Sequence, residues 1–190
     1  LTVIDFSYVC PKRGIVGESW IVDVLLNGDL NEQSMVLDFG IVKKQIKAII
    51  DDAVDHKLLL PLLNDCVQVS NSTHRTDHEY VDITANVGRY FLHSPDCAFA
   101  KINASAITIT TVTEYLTQII FEQLPKNVQG LELKLRAEAI PSDYYHYTHG
   151  LKLHDGNGQR IAQGHRSKIK LFEKGTRPET LQHFWFQRWE

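Results

Sequence analysis

The chain has 190 residues, 43% of them hydrophobic and 23% charged, with a formal net charge of −3. That balance belongs to an ordinary folded protein with a sizeable core; it excludes a disordered chain and a basic footprint for nucleic acid. No apolar run approaches the roughly 20 residues that span a bilayer, so no membrane partner is expected. Cys10, Cys66 and Cys97 are odd in number and far apart, and the sequence opens without a charged and then apolar leader, so a reduced cytoplasmic setting is expected.

Taken in chain order, residues 1–9 and 19–27 read as two strands, the second placing Trp20, Val22, Val24 and Leu26 on one face, and Pro11-Lys12-Arg13-Gly14 makes them a hairpin. Asp38 can cap a helix that runs to about residue 53, with Val42, Ile46, Ile49 and Ile50 opposite Lys43, Lys44 and Lys47. Residues 58–106 are long for a connection and read as an insertion with short strands of its own, such as 80–86. There His74 and His78 stand at i, i+4, a spacing a helix could use for metal, although the polar context reads as a surface loop. A second helix starts near Thr111 and stops before Pro125, carrying Val112, Leu116, Ile119 and Ile120, with Thr111 and Glu114 spaced as a capping box. Leu131, Leu133, Leu135 and Ala137 then alternate with charged residues as a half-buried strand. Two more strands are expected around 145–153 and 161–172, joined at Asp155-Gly156-Asn157-Gly158. The sequence stops inside the cluster Phe184-Trp185-Phe186, which either docks on its own fold or a partner, or marks a piece of a longer protein. Two strands, two helices and two or more strands make an α+β layout: an antiparallel sheet with both helices on one face.

Two stretches carry chemistry in this frame: Ser34-Met35-Val36-Leu37-Asp38-Phe39 at the start of the first helix, and Val54-Asp55-His56-Lys57-Leu58-Leu59 at its end. An imidazole oriented by a neighbouring carboxylate is a general base near neutral pH, whereas an Asp-His at a helix C-terminus can also be plain termination chemistry. In order and spacing the two stretches resemble the 6-pyruvoyl- and 6-carboxytetrahydropterin synthases. The resemblance implies the T-fold, a homo-oligomer joined through sheet edges with active sites at the interfaces, a small-molecule pterin substrate and a catalytic zinc. It also implies that His56 transfers the proton, that Asp55 orients it, and that Glu138 anchors the pterin ring, with Thr113 and Glu114 on the second helix contacting it.

The zinc of that family is held by one histidine on the first strand and a His-Gly-His pair on the second. Here Ile15-Val16-Gly17-Glu18-Ser19-Trp20 stands at the second position, so Val16 cannot bind and Glu18 is either a ligand or a surface carboxylate. Cys10 takes the place of either the first-strand histidine or the family's nucleophilic cysteine. A partial echo of the motif follows at Tyr147-Thr148-His149-Gly150 and Gln163-Gly164-His165-Arg166-Ser167, which offers His149 and His165, with His154, as zinc ligands. The echo divides the chain into a T-fold core at 1–140, with the insertion at about 58–106, and an additional segment at 141–190 that starts a truncated second copy. The expected activity is that of a divergent pterin synthase-like lyase, acting on dihydroneopterin triphosphate or a related pterin by zinc-assisted proton transfer. The alternative is a non-catalytic pterin-binding or assembly module with a degenerate zinc site.

Overall fold

Alternation along the first strand sorts the molecule into layers. In the structure, a computed structural model that describes residues 1–30, 32, 34–36, 38–150 and 163–189, that strand is β1 (Thr2–Cys10). It turns Ile4 and Phe6 to one face and Asp5, Ser7 and Val9 to the other. The remaining elements are β2 (Gly14–Gly28), α1 (Phe39–Ala53), β3 (Leu58–Pro61), β4 (Val67–Asn71), β5 (His78–Ala85), β6 (Gly88–Pro95), β7 (Phe99–Ile102), α2 (Ile109–Phe121), β8 (Val128–Ala137), β9 (Tyr144–His149), β10 (Gln163–Lys168) and α3 (Glu179–Trp189).

Five strands form the central sheet in the order β7-β3-β1-β2-β8. The pairs β1–β2 and β2–β8 are antiparallel, but β3 runs parallel to β1 and β7 parallel to β3, so the sheet is mixed rather than antiparallel throughout. The cause is α1, which carries the chain back so that β3 starts in the direction of β1. A parallel strand buried on both faces is continuously apolar and shows no alternation. Leu58, Leu59 and Leu60 are fully buried, and the segment therefore did not announce itself as a sheet strand. The supposed insertion thus begins and ends in the main sheet, and only the meander β4-β5-β6 leaves it.

Both helices pack on the face that bears Ile4, Phe6, Trp20 and Val22, where Ile46 and Ile50 of α1 and Val112, Leu116 and Ile120 of α2 complete the main core. The Phe6 and Trp20 rings meet edge to face with centroids 4.8 Å apart. Asp38 caps α1 as expected, accepting a hydrogen bond from the Ile41 N–H at 3.1 Å. The α2 cap lies one turn earlier than Thr111: Thr108 is the N-cap, and Thr111 answers it reciprocally from the N3 position. Glu114 therefore sits inside the helix and takes no part in the cap. On the opposite face of the sheet, Val9, Leu58, Leu60 and Phe99 pack against Val67, Val81 and Ile83 of the meander. His78 opens β5 and His74 precedes it in a loop, so the pair shares no helix. The two-stranded sheet β9–β10 covers the other end of that face. Its connecting segment, with the expected turn and His154, lies outside the described residues. In α3 the aromatic cluster partly docks: the Phe186 ring lies 6.1 Å from Tyr144, while Phe184 stays exposed.

Candidate functional site

Asp55 and His56 leave the helix rather than sharing its last turn. Val54 closes α1 with its N–H on the Ile50 carbonyl, and His56 then adopts φ +57, the left-handed region in which a helix exit ordinarily places glycine. Backbone bonds to β1 hold the turn. The His56 N–H donates to the Asp5 carbonyl at 2.7 Å, the Asp5 N–H donates to Asp55 Oδ1 at 2.8 Å, and the Ser7 N–H donates to the Lys57 carbonyl at 3.1 Å. The other carboxylate oxygen, Asp55 Oδ2, lies 3.5 Å from His56 Nδ1. Desolvation raises the Asp55 carboxyl above its ordinary value, opposed by the Asp5 N–H bond and the charge of His56.

The side chain of Asp5 reaches a second constellation. Its Oδ1 accepts from the Ser19 hydroxyl and lies 3.5 Å from His165 Nδ1 on β10. His165 in turn faces His149, with ring centroids 5.5 Å apart and planes 20° from parallel, and Gln163 pairs with His149 across the hairpin. The structure therefore gathers Asp55, His56, His165 and His149 around Asp5, a residue that sequence reasoning passed over. Its signal was present as a polar side chain inside an apolar strand, flanked by Ile4 and Phe6 and followed by the fully buried Ser7.

The other candidates stand elsewhere. Cys10 ends β1 opposite Gly14, five residues and about 17 Å of strand from Asp5. Its neighbour is Cys66, whose thiol is raised by burial and by its proximity to Cys10. Glu138 follows the last residue of β8, is exposed, and gives its backbone carbonyl to Arg166 Nη2 at 2.9 Å. Thr113 and Glu114 belong to α2 on the helix side of the sheet, where the Thr113 hydroxyl donates to the Ile109 carbonyl of its own helix. Met35 and Phe39 line an apolar cleft of about 700 Å³ with Val24, Leu26 and Ile46, remote from the Asp55–His56 turn. The polar side chains on its lining are Ser34 and Lys43, with no carboxylate or imidazole among the lining residues, and none of the candidate site residues named above reaches it.

Glu18 is not a surface carboxylate. Its Oε1 forms an ion pair with Arg166 Nε at 2.8 Å and lies 3.5 Å from His146 Nδ1, and its Oε2 accepts from the Trp20 indole at 2.8 Å. A carboxylate committed to a guanidinium does not suit a zinc site in the first hairpin, and Val16 beside it supplies no donor. The second hairpin has donors of the right type in His149 and His165. Among the described residues, no group of three or more His, Cys, Asp or Glu side chains could hold a metal ion.

The sequence model of the 6-pyruvoyl tetrahydropterin synthase family matches residues 10–149. A protein of Pyrococcus abyssi named "Putative 6-carboxy-5,6,7,8-tetrahydropterin synthase" is 26% identical over 149 residues, covering 78% of this chain and 83% of its own. Among solved structures, a catalytic-residue mutant of Plasmodium vivax 6-pyruvoyltetrahydropterin synthase superimposes with a TM-score of 0.54 at 15% identity, covering 71% of this chain and 85% of that one. The Plasmodium falciparum 6-pyruvoyl tetrahydropterin synthase gives 0.53 at 14% identity with the same coverage.

Proposed function

The chain belongs to the 6-pyruvoyl tetrahydropterin synthase family, and from that premise we propose that it is a pterin synthase-like lyase acting on dihydroneopterin triphosphate or a related pterin. The observation that carries the reading is the Asp55–His56 turn. A histidine held in the left-handed region costs about 1 kcal/mol or more, and strained residues of this kind collect where function requires them. With its imidazole 39% exposed and a mostly buried carboxylate at its Nδ1, His56 is placed to exchange a proton with a bound molecule through Nε2. Asp55 orients the ring through its Oδ2 at Nδ1. Asp5 anchors both residues through the backbone.

Zinc is part of the proposal. His149 and His165 would supply two imidazole nitrogens from one face of β9–β10, with His154 as the third donor. A bound zinc would polarise side-chain oxygens of the pterin. Glu138, Thr113 and Glu114 are proposed as pterin contacts; because they lie on different sides of the sheet, the substrate site would draw on more than one subunit, consistent with a homo-oligomer.

The test is release of triphosphate from dihydroneopterin triphosphate by zinc-supplemented protein, with metal content measured alongside. Turnover is expected in the native chain, and His56→Gln should lower it by about 10²–10⁴-fold. Pterin binding without turnover would overturn the lyase reading and leave a binding module. Zinc content that survives the joint replacement of His149 and His165 by alanine would remove those residues from the metal site.

A further inference from the structure

Aligned on their glycines, the hairpins β1–β2 and β9–β10 coincide in register. Ser7 pairs with Gly17 in the first, and Thr148 pairs with Gly164 in the second. The correspondence then runs Phe6 with Tyr147, Asp5 with His146, and Glu18 with His165. The contacts between the hairpins follow it reciprocally. A methyl group on Gly17 would overlap the Tyr147 carbonyl, and one on Gly164 would overlap the Phe6 carbonyl. The Ser7 and Thr148 hydroxyls, which correspond to each other, meet in a hydrogen bond. Glu18 lies 3.5 Å from His146 Nδ1, and their counterparts His165 and Asp5 make the matching contact, also at 3.5 Å. Such reciprocity is that of two like objects about a local two-fold axis.

The charges break the likeness. The first hairpin brings the carboxylates of Asp5 and Glu18 to the contact, and the second brings His146, His165 and Arg166. The Arg166 side chain is 7% exposed and inserts beside β2 just past the end of β8, where its guanidinium reaches Glu18, the Ser19 carbonyl and the Glu138 carbonyl and stacks on Tyr144. Two first hairpins would set the Glu18 carboxylate against a second Glu18, and two second hairpins would set the Arg166 guanidinium against a second Arg166. Either arrangement would bury like charges.

We propose that β9–β10 is a charge-reversed duplicate of β1–β2 that docks on it within the same chain, the two forming a matched, one-way pair. In this pairing the Glu18 position serves to hold Arg166, and the glycines at 17 and 164 set the closeness of approach. The pairing stands on the contacts between the hairpins and does not depend on the lyase reading, so loss of either leaves the other intact.

Charge reversal in the full chain tests it, read by amide hydrogen exchange of β9–β10 against that of the β5–β6 meander. Glu18→Arg or Arg166→Glu alone is expected to lower protection of residues 144–149 and 163–168 by on the order of a hundredfold. The double reversal should recover most of it, with the meander unchanged throughout. Equal loss in the single and double variants, or no loss in either single variant, would overturn the pairing. Mixing the two single variants tests the intramolecular claim, because recovery of protection only on mixing would show docking between chains and refute it. Gly164→Ala provides a variant without charge change: it should release β9–β10 while β1–β2 stays protected, and unchanged protection there would refute the close contact.

Discussion

In the roles proposed for them, His56 and Asp55 set stability against function. Replacing His56 by glycine removes the left-handed strain and should raise stability by about 1 kcal/mol, read as a higher urea midpoint, while abolishing lyase turnover. A destabilised His56→Gly variant would mean that the imidazole makes contacts worth more than the strain. Asp55 gives a pH signature. Its folded-state carboxyl is raised, chiefly by burial, so above the ordinary carboxylate pKa of about 3.9 the native chain holds a proton that the unfolded chain has lost. The contribution of this group is therefore fully present below that pH and is lost as pH rises through the folded-state value. Asp55→Asn keeps an acceptor for the Asp5 N–H and avoids the ionisation. Its urea midpoint relative to the native chain should improve as pH climbs from 3.5 through the carboxylate range. A difference that stays constant with pH would sink the assignment. These two residues were legible because they form a contiguous motif. Asp5, Ser19 and Arg166 were not, because their importance lies in pairings across 14, 50 and 147 positions of sequence.

Among elements, those with a regular period were readable and those without one were not. The α1 stripe and its Asp38 cap, the hairpin face of Trp20, Val22, Val24 and Leu26, and the alternation of β8 all stand where periodicity placed them. β3 was invisible because burial on both faces erases alternation, and that omission made a sheet strand look like part of an insertion. The start of α2 was misplaced because Thr108, Thr110 and Thr111 are all competent caps, and only the fold selects Thr108. Thr108→Ala should cost about 1 kcal/mol and lower the melting temperature by about 2–4 °C, while Thr113→Ala, whose hydroxyl bonds only within the helix, should change it by less. Equal effects would mean that the reciprocal cap contributes little.

As a whole molecule, the protein is a mixed sheet with α1 and α2 on one face and two β layers sharing the other. Its outermost strands, β7 and β8, each have one edge that pairs with no other strand among the described residues. Unpaired edges invite pairing, and assembly through them would remove the exposure. At micromolar concentration the protein is expected to sediment as a homo-oligomer; a single species of monomer mass at all concentrations would refute edge assembly. The α+β class was legible from element order, but the second face was not, because the residues covering it come from 67–95, 144–149 and 163–168 and show themselves only once the chain has folded back.

The connector between β8 and β9 spans only residues 138–143, and Glu138 at its start already touches Arg166. So short a tether fixes the local concentration of the second hairpin at the first in the millimolar range, whatever the dilution of the protein. A free chain presenting its own basic hairpin would compete poorly against that figure at any cellular abundance. Cutting the connector would turn a concentration-independent contact into a bimolecular one, whose half-saturation point would measure the strength of the pairing directly.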